Sequence, residues 1–450
     1  MTTEAADAWH ALLDADTGLA LESAAQLRAG LDRAGLVFGT RQLCSVLRPR
    51  FFSPAEYATL QHRVRPLMRA FQTAFAAAMA DRSARAQFRL ADWEESLVVE
   101  DRSGVAPSPT SRLDAFVTAD GMSITEYNGE TPAGAAFNDA LADCFVNLPV
   151  MRAFATQWWC RPIESRHGVL RVLLDQWEAW SGTRRLPRIA ILDWDDVPTK
   201  VEFALFRAYF EARGIACIIG DPRACDYRDG RLWLGGAPID LVYKRVLIHE
   251  LVGRLGLEHD VTRAVRENAV CFANGFRSKI LHKKASLAVL SDERNAAWWD
   301  REAAAAIAAH IPWTRVVEER RTVGPDGASI DLLAWCAVHR SRLVLKPNDD
   351  YGGAGIVLGW TVSDAAWEAA LRHAAAEPFI VQQRVAIPRE SYPAVVDGAL
   401  VYADRQVDTA PFICHGDYVD GVLSRLSTEE LLNVTAGGGS QTPTFLVERR

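Results

Sequence analysis

The apolar residues of the first quarter of the chain recur at the three- and four-residue spacing of amphipathic helices. The clearest run is AEYATLQHRVRPLMRAFQTAFAAAMADRSARAQF, which covers residues 55–88. This pattern predicts a helical N-terminal segment over residues 1–110. Helical spacing returns over residues 150–182.

Between these stretches the pattern changes to strands. The segment RLDAFVTADGMSITEYNGE, residues 112–130, alternates apolar and polar positions on either side of an Asp-Gly pair. That arrangement predicts a β-hairpin that turns around Ala119–Met122.

A strand–helix–strand pattern follows from residue 186. LPRIAIL is an apolar strand, TKVEFALFRAYFEARG is an amphipathic helix that ends at Gly214, and IACIIGD is a second apolar strand. LVYKRV is a third strand. This order predicts a parallel sheet. The loop after the first strand is Asp-Trp-Asp-Asp, so the glycine fingerprint of dinucleotide binding is absent.

The remaining sequence predicts a mainly helical region over residues 261–345, with a short strand at WTRVV, and then a mixed region. RLVLKPNDDYGGAGIVLGW indicates strand, glycine-rich loop and strand, SDAAWEAALRHAAA a helix, and PFIVQQRV another strand. Residues 391–450 have the pattern of strands with long loops. The whole pattern predicts an α/β fold with α+β regions.

Composition narrows the class of protein. Of 450 residues, 49% are hydrophobic and 24% charged, which is typical of a globular enzyme. The net charge of −7 argues against a nucleic-acid partner. No apolar run approaches the roughly 18 residues of a membrane span, so no membrane partner is expected. The acidic N-terminus and eight scattered cysteines predict a cytoplasmic protein with free thiols.

The predicted hairpin carries the first candidate site. Glu126 and Asn128 are two residues apart on one strand and share a face, and Asp114 lies on the paired strand. Two carboxylates and an amide form an oxygen site suited to Mg²⁺. Arg112 is two residues from Asp114 and faces the same way. The alternative is a solvated polar hairpin face.

The second candidate site is Lys346, at the end of an apolar strand, with the loop that begins at Tyr351. The loop glycines, Gly352, Gly353 and Gly355, allow backbone N–H groups to approach phosphate oxygens. Lys346 adds a positive charge for the same anion. The alternative is a tight glycine hairpin without a ligand.

Three weaker signals complete the set. The strand that ends in Gln382, Gln383 and Val385 offers backbone groups that can pair an adenine; the alternative is an ordinary strand end. Lys283 and Lys284 start a helical segment, where one of them can reach a phosphate; the alternative is a solvated basic face. Arg425, Asn433 and the glycines at 437–439 form another loop, and a surface loop is an equal alternative.

Together these motifs resemble the ATP-grasp superfamily. RLDAFVTADGMSITEYN is similar to its D…E-x-N metal triad, VLKPNDDYGGAGI to its lysine and glycine hairpin, and FIVQQRV to its adenine hinge. KKASLAVLSD is similar to a family segment in which Lys284 is the expected phosphate ligand. RLSTEELLNVTAGGGSQTPTF is similar to the return into the metal lobe, which contributes Arg425 and Asn433.

The order of the motifs resembles circularly permuted members that are similar to glutathionylspermidine synthase, because the triad precedes Lys346. The resemblance implies a Rossmann-like pre-ATP-grasp domain and a metal lobe built from two separate segments. The predicted parts of the chain are an N-terminal helical segment (1–110), half of the metal lobe with helices (111–182), a Rossmann-like substrate domain (183–260), a nucleotide lobe (261–390) and the rest of the metal lobe (391–450).

The activity that the resemblance implies is an ATP- and Mg²⁺-dependent ligase that joins a carboxylate to an amine through an acylphosphate. Arg245 and Arg425 are expected to hold the carboxylate. The substrates implied are small molecules, an amino acid, peptide or polyamine, whose identity the sequence does not specify. The alternatives are an ATP-grasp phosphotransferase and a non-catalytic nucleotide-binding protein. The sequence gives no indication of the oligomeric state.

Overall fold

The computed structural model describes residues 2–38, 41–101, 103, 106–118, 121–349, 353–429 and 439–450. It is a mixed α/β protein, as the hydrophobic pattern predicts. Among the described residues no helix combines the length and the apolar content that crossing a lipid bilayer requires.

The N-terminal part is mainly helical. Its longest helix begins after Ser53, whose side chain and that of Glu56 form a reciprocal cap. That helix buries Leu67 and Phe71 in the main core. Its elements are α1 (Thr2–Ala15), α2 (Thr17–Arg33), β1 (Val37–Phe38), β2 (Arg41–Gln42), β3 (Arg50–Phe52), α3 (Pro54–Ala80), α4 (Arg82–Ala86) and α5 (Asp92–Glu100).

The predicted hairpin is formed by two antiparallel strands, and helices follow it. The elements are β4 (Thr110–Val117), β5 (Met122–Asn128), α6 (Ala135–Val146), α7 (Pro149–Phe154), β6 (Trp158–Pro162) and α8 (Arg166–Ser181). The helical pattern predicted over 150–182 is present in α7 and α8 but is wrong at β6, which is a strand. This strand pairs with the last strand of the chain, a partner that local periodicity does not reveal.

A parallel four-stranded sheet forms the next layer, in the order β13-β12-β7-β8. Its elements, with a small antiparallel meander, are β7 (Ile189–Leu192), α9 (Lys200–Glu211), β8 (Cys217–Gly220), β9 (Asp226–Arg228), β10 (Arg231–Leu234), β11 (Ala237–Pro238), β12 (Leu241–Lys244), α10 (Ile248–Leu255), α11 (Asp260–Arg266) and β13 (Cys271–Ala273). The edge strand β13 lies beyond the boundary expected at residue 260.

A second four-stranded sheet, with the order β14-β19-β17-β18, is antiparallel and packs against two helices. The elements of this region are α12 (Ser278–His282), α13 (Ala285–Ser291), α14 (Arg301–His310), β14 (Thr314–Val316), β15 (Arg321–Val323), β16 (Ser329–Asp331), α15 (Leu332–Val338), β17 (Leu343–Pro347), β18 (Val357–Leu358), α16 (Asp364–Ala376) and β19 (Phe379–Gln383). The short strand predicted at WTRVV is present as β14, whereas β13, β15 and β16 were not predicted in this mainly helical stretch.

The C-terminal strands return to the hairpin. They are β20 (Arg389–Val396), β21 (Ala399–Cys414), β22 (Tyr418–Ser427), β23 (Gly439–Thr442) and β24 (Thr444–Arg449). The order β23-β22-β21-β4-β5, with β20 also paired to β21, makes one sheet from two distant parts of the chain. β24 lies between β3 and β6 in a separate sheet. The C-terminus is therefore integrated into the core.

Candidate active site

The β4–β5 hairpin places four predicted side chains together. Asp114 lies opposite Glu126, and Arg112 lies opposite Asn128. The Arg112 guanidinium donates to Asp114 Oδ1 at 2.8 Å. Side chains two residues apart on a strand share a face, so all four project from the same side of the sheet.

The C-terminal strands add a second guanidinium to this group. Arg425 on β22 donates to Asp114 Oδ2 at 2.6 Å, across 311 residues of sequence. Burial disfavours the charged form of Asp114, but Arg112 and Arg425 outweigh that effect and hold the pKa of its carboxyl below the ordinary value. Asp114 therefore remains ionised.

Arg425 also pairs with Asp408 on the adjacent strand β21. Burial raises the pKa of Asp408 to about 6, although Arg425 acts in the opposite direction. Sequence reasoning missed Asp408. A weak signal exists, because Gln406 and Asp408 are polar positions two apart in a strand whose continuation is buried.

Two lysines from later parts of the chain contact the hairpin. Lys284 forms an ion pair with Glu126 at 2.9 Å, and its charge lowers the pKa of that carboxyl against the effect of burial. Lys346 donates to the Thr125 carbonyl at 3.1 Å and to Gln382 Oε1 at 2.7 Å. Burial lowers the pKa of Lys346 to about 8, with Glu126 acting in the opposite direction.

These groups surround a cavity of about 1170 Å³. Lys284 touches Glu126 from outside the lining, and Gly355 does not line the cavity. The predicted site residues in its wall are Arg112, Asp114, Glu126, Asn128, Arg245, Lys346, Gly353, Gln382, Gln383, Val385 and Arg425.

Five apolar side chains form part of the cavity wall. Val344 and Leu358 come from the second sheet, Val385 and Ile387 from the segment after β19, and Ile356 from the loop before β18. Together they offer apolar contact to a flat ring, and Arg342 and Arg384 line the cavity on the same segments.

The parallel sheet contributes a third wall. Asp193 and Trp194 follow β7, and Arg245 follows β12, so all three lie at the carboxyl ends of parallel strands. Arg245 is largely committed to internal contacts. It pairs with Glu202 at 3.1 Å and donates to the Pro132 carbonyl at 2.7 Å.

A buried network of charges lies behind the hairpin. Lys279 Nζ is 2.9 Å from Glu130 and 2.6 Å from Asp349, while Lys244 also pairs with Glu130. Glu130, His282 and Asp349 are close enough to share a metal ion. Because Lys279 contacts both carboxylates, and Lys244 and Lys283 add a second ammonium to Glu130 and Asp349 respectively, we interpret this group as an ion-pair network.

The lysine distribution is a signal that sequence analysis did not use. The chain has six lysines, and arginine supplies the remaining basic residues. Lys200 is exposed, whereas the other five are buried or half-buried near the hairpin. In a sequence that uses arginine elsewhere, the rare lysines mark the site.

Three predicted site residues, Tyr351, Gly352 and Asn433, lie outside the described residues. The expected meeting of Asn433 with the metal triad, and the glycine loop at 437–438, therefore remain predictions. The described part of the C-terminal segment does reach the hairpin, through Arg425.

Comparison with known proteins identifies the fold. No family model and no curated protein matches the sequence. A glutathione synthetase-like effector from Globodera pallida (GSS30, apo form) matches over 96% of this chain and 94% of its own, with a TM-score of 0.57 and 12% identity. The present chain therefore shares the fold of that effector.

Two more distant structures were also found. A putative gamma-glutamylcysteine synthetase from Methylobacillus flagellatus KT has a TM-score of 0.41 and 12% identity, covering 84% of this chain and 87% of its own. A D-alanyl-alanine synthetase A from Vibrio cholerae O1 has a TM-score of 0.26 and 12% identity, covering 50% and 67%.

Proposed function

We propose that the protein is an ATP- and Mg²⁺-dependent ligase that joins a carboxylate to an amine and releases ADP and phosphate. One observation carries the proposal: Asp114, Glu126 and Asn128 share a cavity wall with Lys346, and Lys284 and Arg425 pair with the two carboxylates. The fold of a glutathione synthetase-like effector supports it.

The cavity fits ATP together with further substrates. Its volume of about 1170 Å³ exceeds that of a pocket for one drug-sized ligand, roughly 300–1,000 Å³. The apolar part of the wall accepts the adenine beside Gln383 and Val385. Lys346 and Lys284 lie where the phosphates would approach the hairpin.

The hairpin fits Mg²⁺. Asp114 and Glu126 supply ionised oxygens, and Asn128 lines the same cavity, where its amide oxygen would be the atom that ligates the cation. A hard cation that is held by a few protein oxygens completes its shell with substrate phosphates. When bound, Mg²⁺ would neutralise phosphate charge.

The residues present suit a two-step reaction. A carboxylate oxygen of the acid attacks the terminal phosphorus of ATP, the bond to ADP breaks, and an acylphosphate forms. The neutral amine then attacks the acyl carbon, phosphate leaves, and the nitrogen loses a proton to water. Arg112 and Arg425 hold the acid, whereas Lys346 and Lys284 stabilise charge on the transferring group.

The order of the elements supports a circularly permuted ATP-grasp arrangement. The metal hairpin comes before the sheet that bears Lys346, and the strands that complete the hairpin's sheet come after it. On this proposal, residues 261–390 form the nucleotide lobe and 183–260 contain most of the Rossmann-like domain.

The test is ADP release by the purified protein with Mg·ATP and a matrix of amino acids, short peptides and polyamines. We expect release that requires one acid and one amine together. Release with an acid or alcohol alone, unaffected by any amine, would instead indicate a phosphotransferase. Failure of Mg·ATP to bind at all would refute both activities.

A further inference from the structure

A wall of the cavity that the proposed chemistry does not use consists of three buried polar side chains. Gln406 and Asp408 lie two residues apart on β21, and Gln441 lies on β23. All three line the cavity, yet their exposed fractions are only 6%, 2% and 7%. We call these three residues the acceptor wall.

Each member of the acceptor wall has an oxygen without a hydrogen-bond partner among the described residues. These atoms are Gln406 Oε1, Asp408 Oδ1 and Gln441 Oε1. Buried polar atoms in folded proteins are nearly always paired, because an unpaired one loses its hydration without compensation. Three such oxygens on one cavity wall indicate a ligand that supplies the missing donors.

The chemistry of the wall specifies that ligand. Oxygens that lack donors require N–H or O–H groups, and the Asp408 carboxylate favours a positive charge. Arg425 pairs with both Asp408 and Asp114, and Arg112 also pairs with Asp114. Asp408 therefore shares its ion-pair partner with Asp114, and its Oδ1, which has no partner among the described residues, is left for a charged donor.

Apolar groups beside the wall specify the rest of the ligand. Leu423, two residues from Arg425 on β22, and Phe137 on α6 both line the cavity. They offer contact to methylene groups. An ammonium on an aliphatic chain therefore fits this part of the cavity.

We propose that the acceptor wall binds the amine substrate through its ammonium group, with an aliphatic chain along Leu423. This assignment rests on the proposed ligase function. Asp408 of the wall pairs with Arg425, which contacts Asp114, where the acid would be activated. An ammonium that gives its proton to water would therefore leave the wall as a free amine beside the acyl carbon.

The probe for this site is butylamine, titrated calorimetrically into protein saturated with Mg²⁺ and a non-hydrolysable ATP analogue. 1-Butanol, which keeps the chain and removes the charge, is the matched ligand control. We expect butylamine to bind and 1-butanol not to bind. Gln406→Leu and Asp408→Asn should each weaken butylamine by about tenfold or more, through loss of a hydrogen bond to a charged group.

Gln176→Leu is the matched protein control. Gln176 on α8 also has a buried Oε1 without a partner, but it lies outside the cavity wall. Its replacement should leave butylamine binding unchanged. Gln406→Leu should not lower the melting temperature of the ligand-free protein, because it removes an unsatisfied buried oxygen.

The proposal is overturned if wild-type protein fails to bind butylamine, or binds 1-butanol equally well. It is also overturned if Gln406→Leu unfolds more easily while its butylamine affinity is unchanged, since that result indicates a structural role. Loss of butylamine binding in Asp193→Asn but not in Gln406→Leu would place the amine at the wall formed by the parallel sheet. The nucleotide analogue is also titrated alone. If it does not bind, the ligase proposal fails, and butylamine is then titrated without nucleotide to test the acceptor wall by itself.

Discussion

At the scale of single residues, the site depends on carboxylates that stay ionised while largely buried. Asp114 does so because Arg112 and Arg425 contact it, and Glu126 because Lys284 does. Each cation is itself stabilised by the carboxylate it contacts. The cluster therefore presents fixed charges to a ligand without needing to rearrange.

Glu126→Gln should reduce ADP release to background while the protein stays folded, since the change keeps the volume and removes a charge proposed to hold Mg²⁺. Activity and far-ultraviolet circular dichroism measure the two effects. Glu377→Gln, at the exposed end of α16, is the control and should retain full activity. A folded Glu126→Gln protein with normal turnover would remove the metal-triad assignment.

Lys346→Ala should weaken ATP binding by about 10- to 150-fold, the equivalent of one lost hydrogen bond to a charged group. Calorimetric titration of the nucleotide measures the change. Lys200→Ala removes the exposed lysine and should leave the affinity within about twofold, since a surface position has little effect. A change of less than twofold in Lys346→Ala would show that this lysine is not a phosphate ligand.

At the scale of elements, the start of α6 is held by a side chain from α9. Glu202 accepts hydrogen bonds from the Gly134 and Ala136 amides at 2.7 and 3.2 Å and also pairs with Arg245. Unpaired amides at a helix start favour a carboxylate. This contact fixes the segment 131–137, much of which lines the cavity.

Glu202→Ala should therefore lower the free energy of unfolding by about 3–5 kcal/mol, because it leaves a buried guanidinium unpaired. Urea denaturation measures the loss. Glu211→Ala, on the exposed face of the same helix, should change stability by less than about 0.5 kcal/mol. Equal effects of the two substitutions would contradict the role assigned to Glu202.

The buried network behind the hairpin gives a pH-dependent prediction. Burial lowers the pKa of Lys244 from 10.5 to about 8, although Glu130 acts in the opposite direction. Between pH 8 and pH 10.5 the unfolded chain binds more protons than the folded protein. The contribution of Lys244 to the free energy of unfolding therefore rises with pH over this range and is lost as the pH falls towards 8.

Lys244→Met lacks this titration. The difference in free energy of unfolding between wild type and Lys244→Met should therefore grow in favour of wild type from pH 8 to pH 10. Lys346 has a similarly lowered pKa but is present in both proteins, so its contribution cancels. A difference that is flat with pH would refute the buried, charge-perturbed state of Lys244.

At the scale of the whole molecule, one sheet joins the first and last thirds of the chain. β4 pairs with β21, and β22 and β23 extend the sheet. β24 in turn lies between β3 and β6. Residues that are far apart in sequence therefore meet only when the whole chain has folded.

A double-mutant cycle tests this closure. Asp114→Asn and Arg425→Gln should show a coupling energy of about 0.5–3 kcal/mol in urea denaturation, because the two side chains are in contact. Asp114→Asn with Arg389→Gln is the control pair. Arg389 lines the same cavity but bonds to Asp404, so its effect should be additive. Additivity in the first pair would contradict the contact.

Much of the fold could be predicted because its signals are local. Alternation around Asp114 and Glu126 indicates the hairpin. The apolar run before Lys346 indicates a strand with this lysine at its end, and the βαβ pattern indicates a parallel sheet. In each case the neighbours along the chain specify both the element and the face on which the polar residue lies.

The short strands and the hidden partners could not be predicted in this way. β3 and β6 are strands because β24 provides their partner, and their own sequences do not require it. Asp408 is a site residue because Arg425 lies beside it, and Arg245 is largely internal because Glu202 faces it. These outcomes depend on pairing across long stretches of sequence.

The sequence by itself determined which chemical groups are present and on which elements they lie. The tertiary structure alone decided which of them meet: Arg425 with Asp114, and Lys284 with Glu126. The physical reason is that periodicity and turn chemistry act over a few residues, whereas burial and ion pairing depend on the neighbours that long-range sheet pairing brings together.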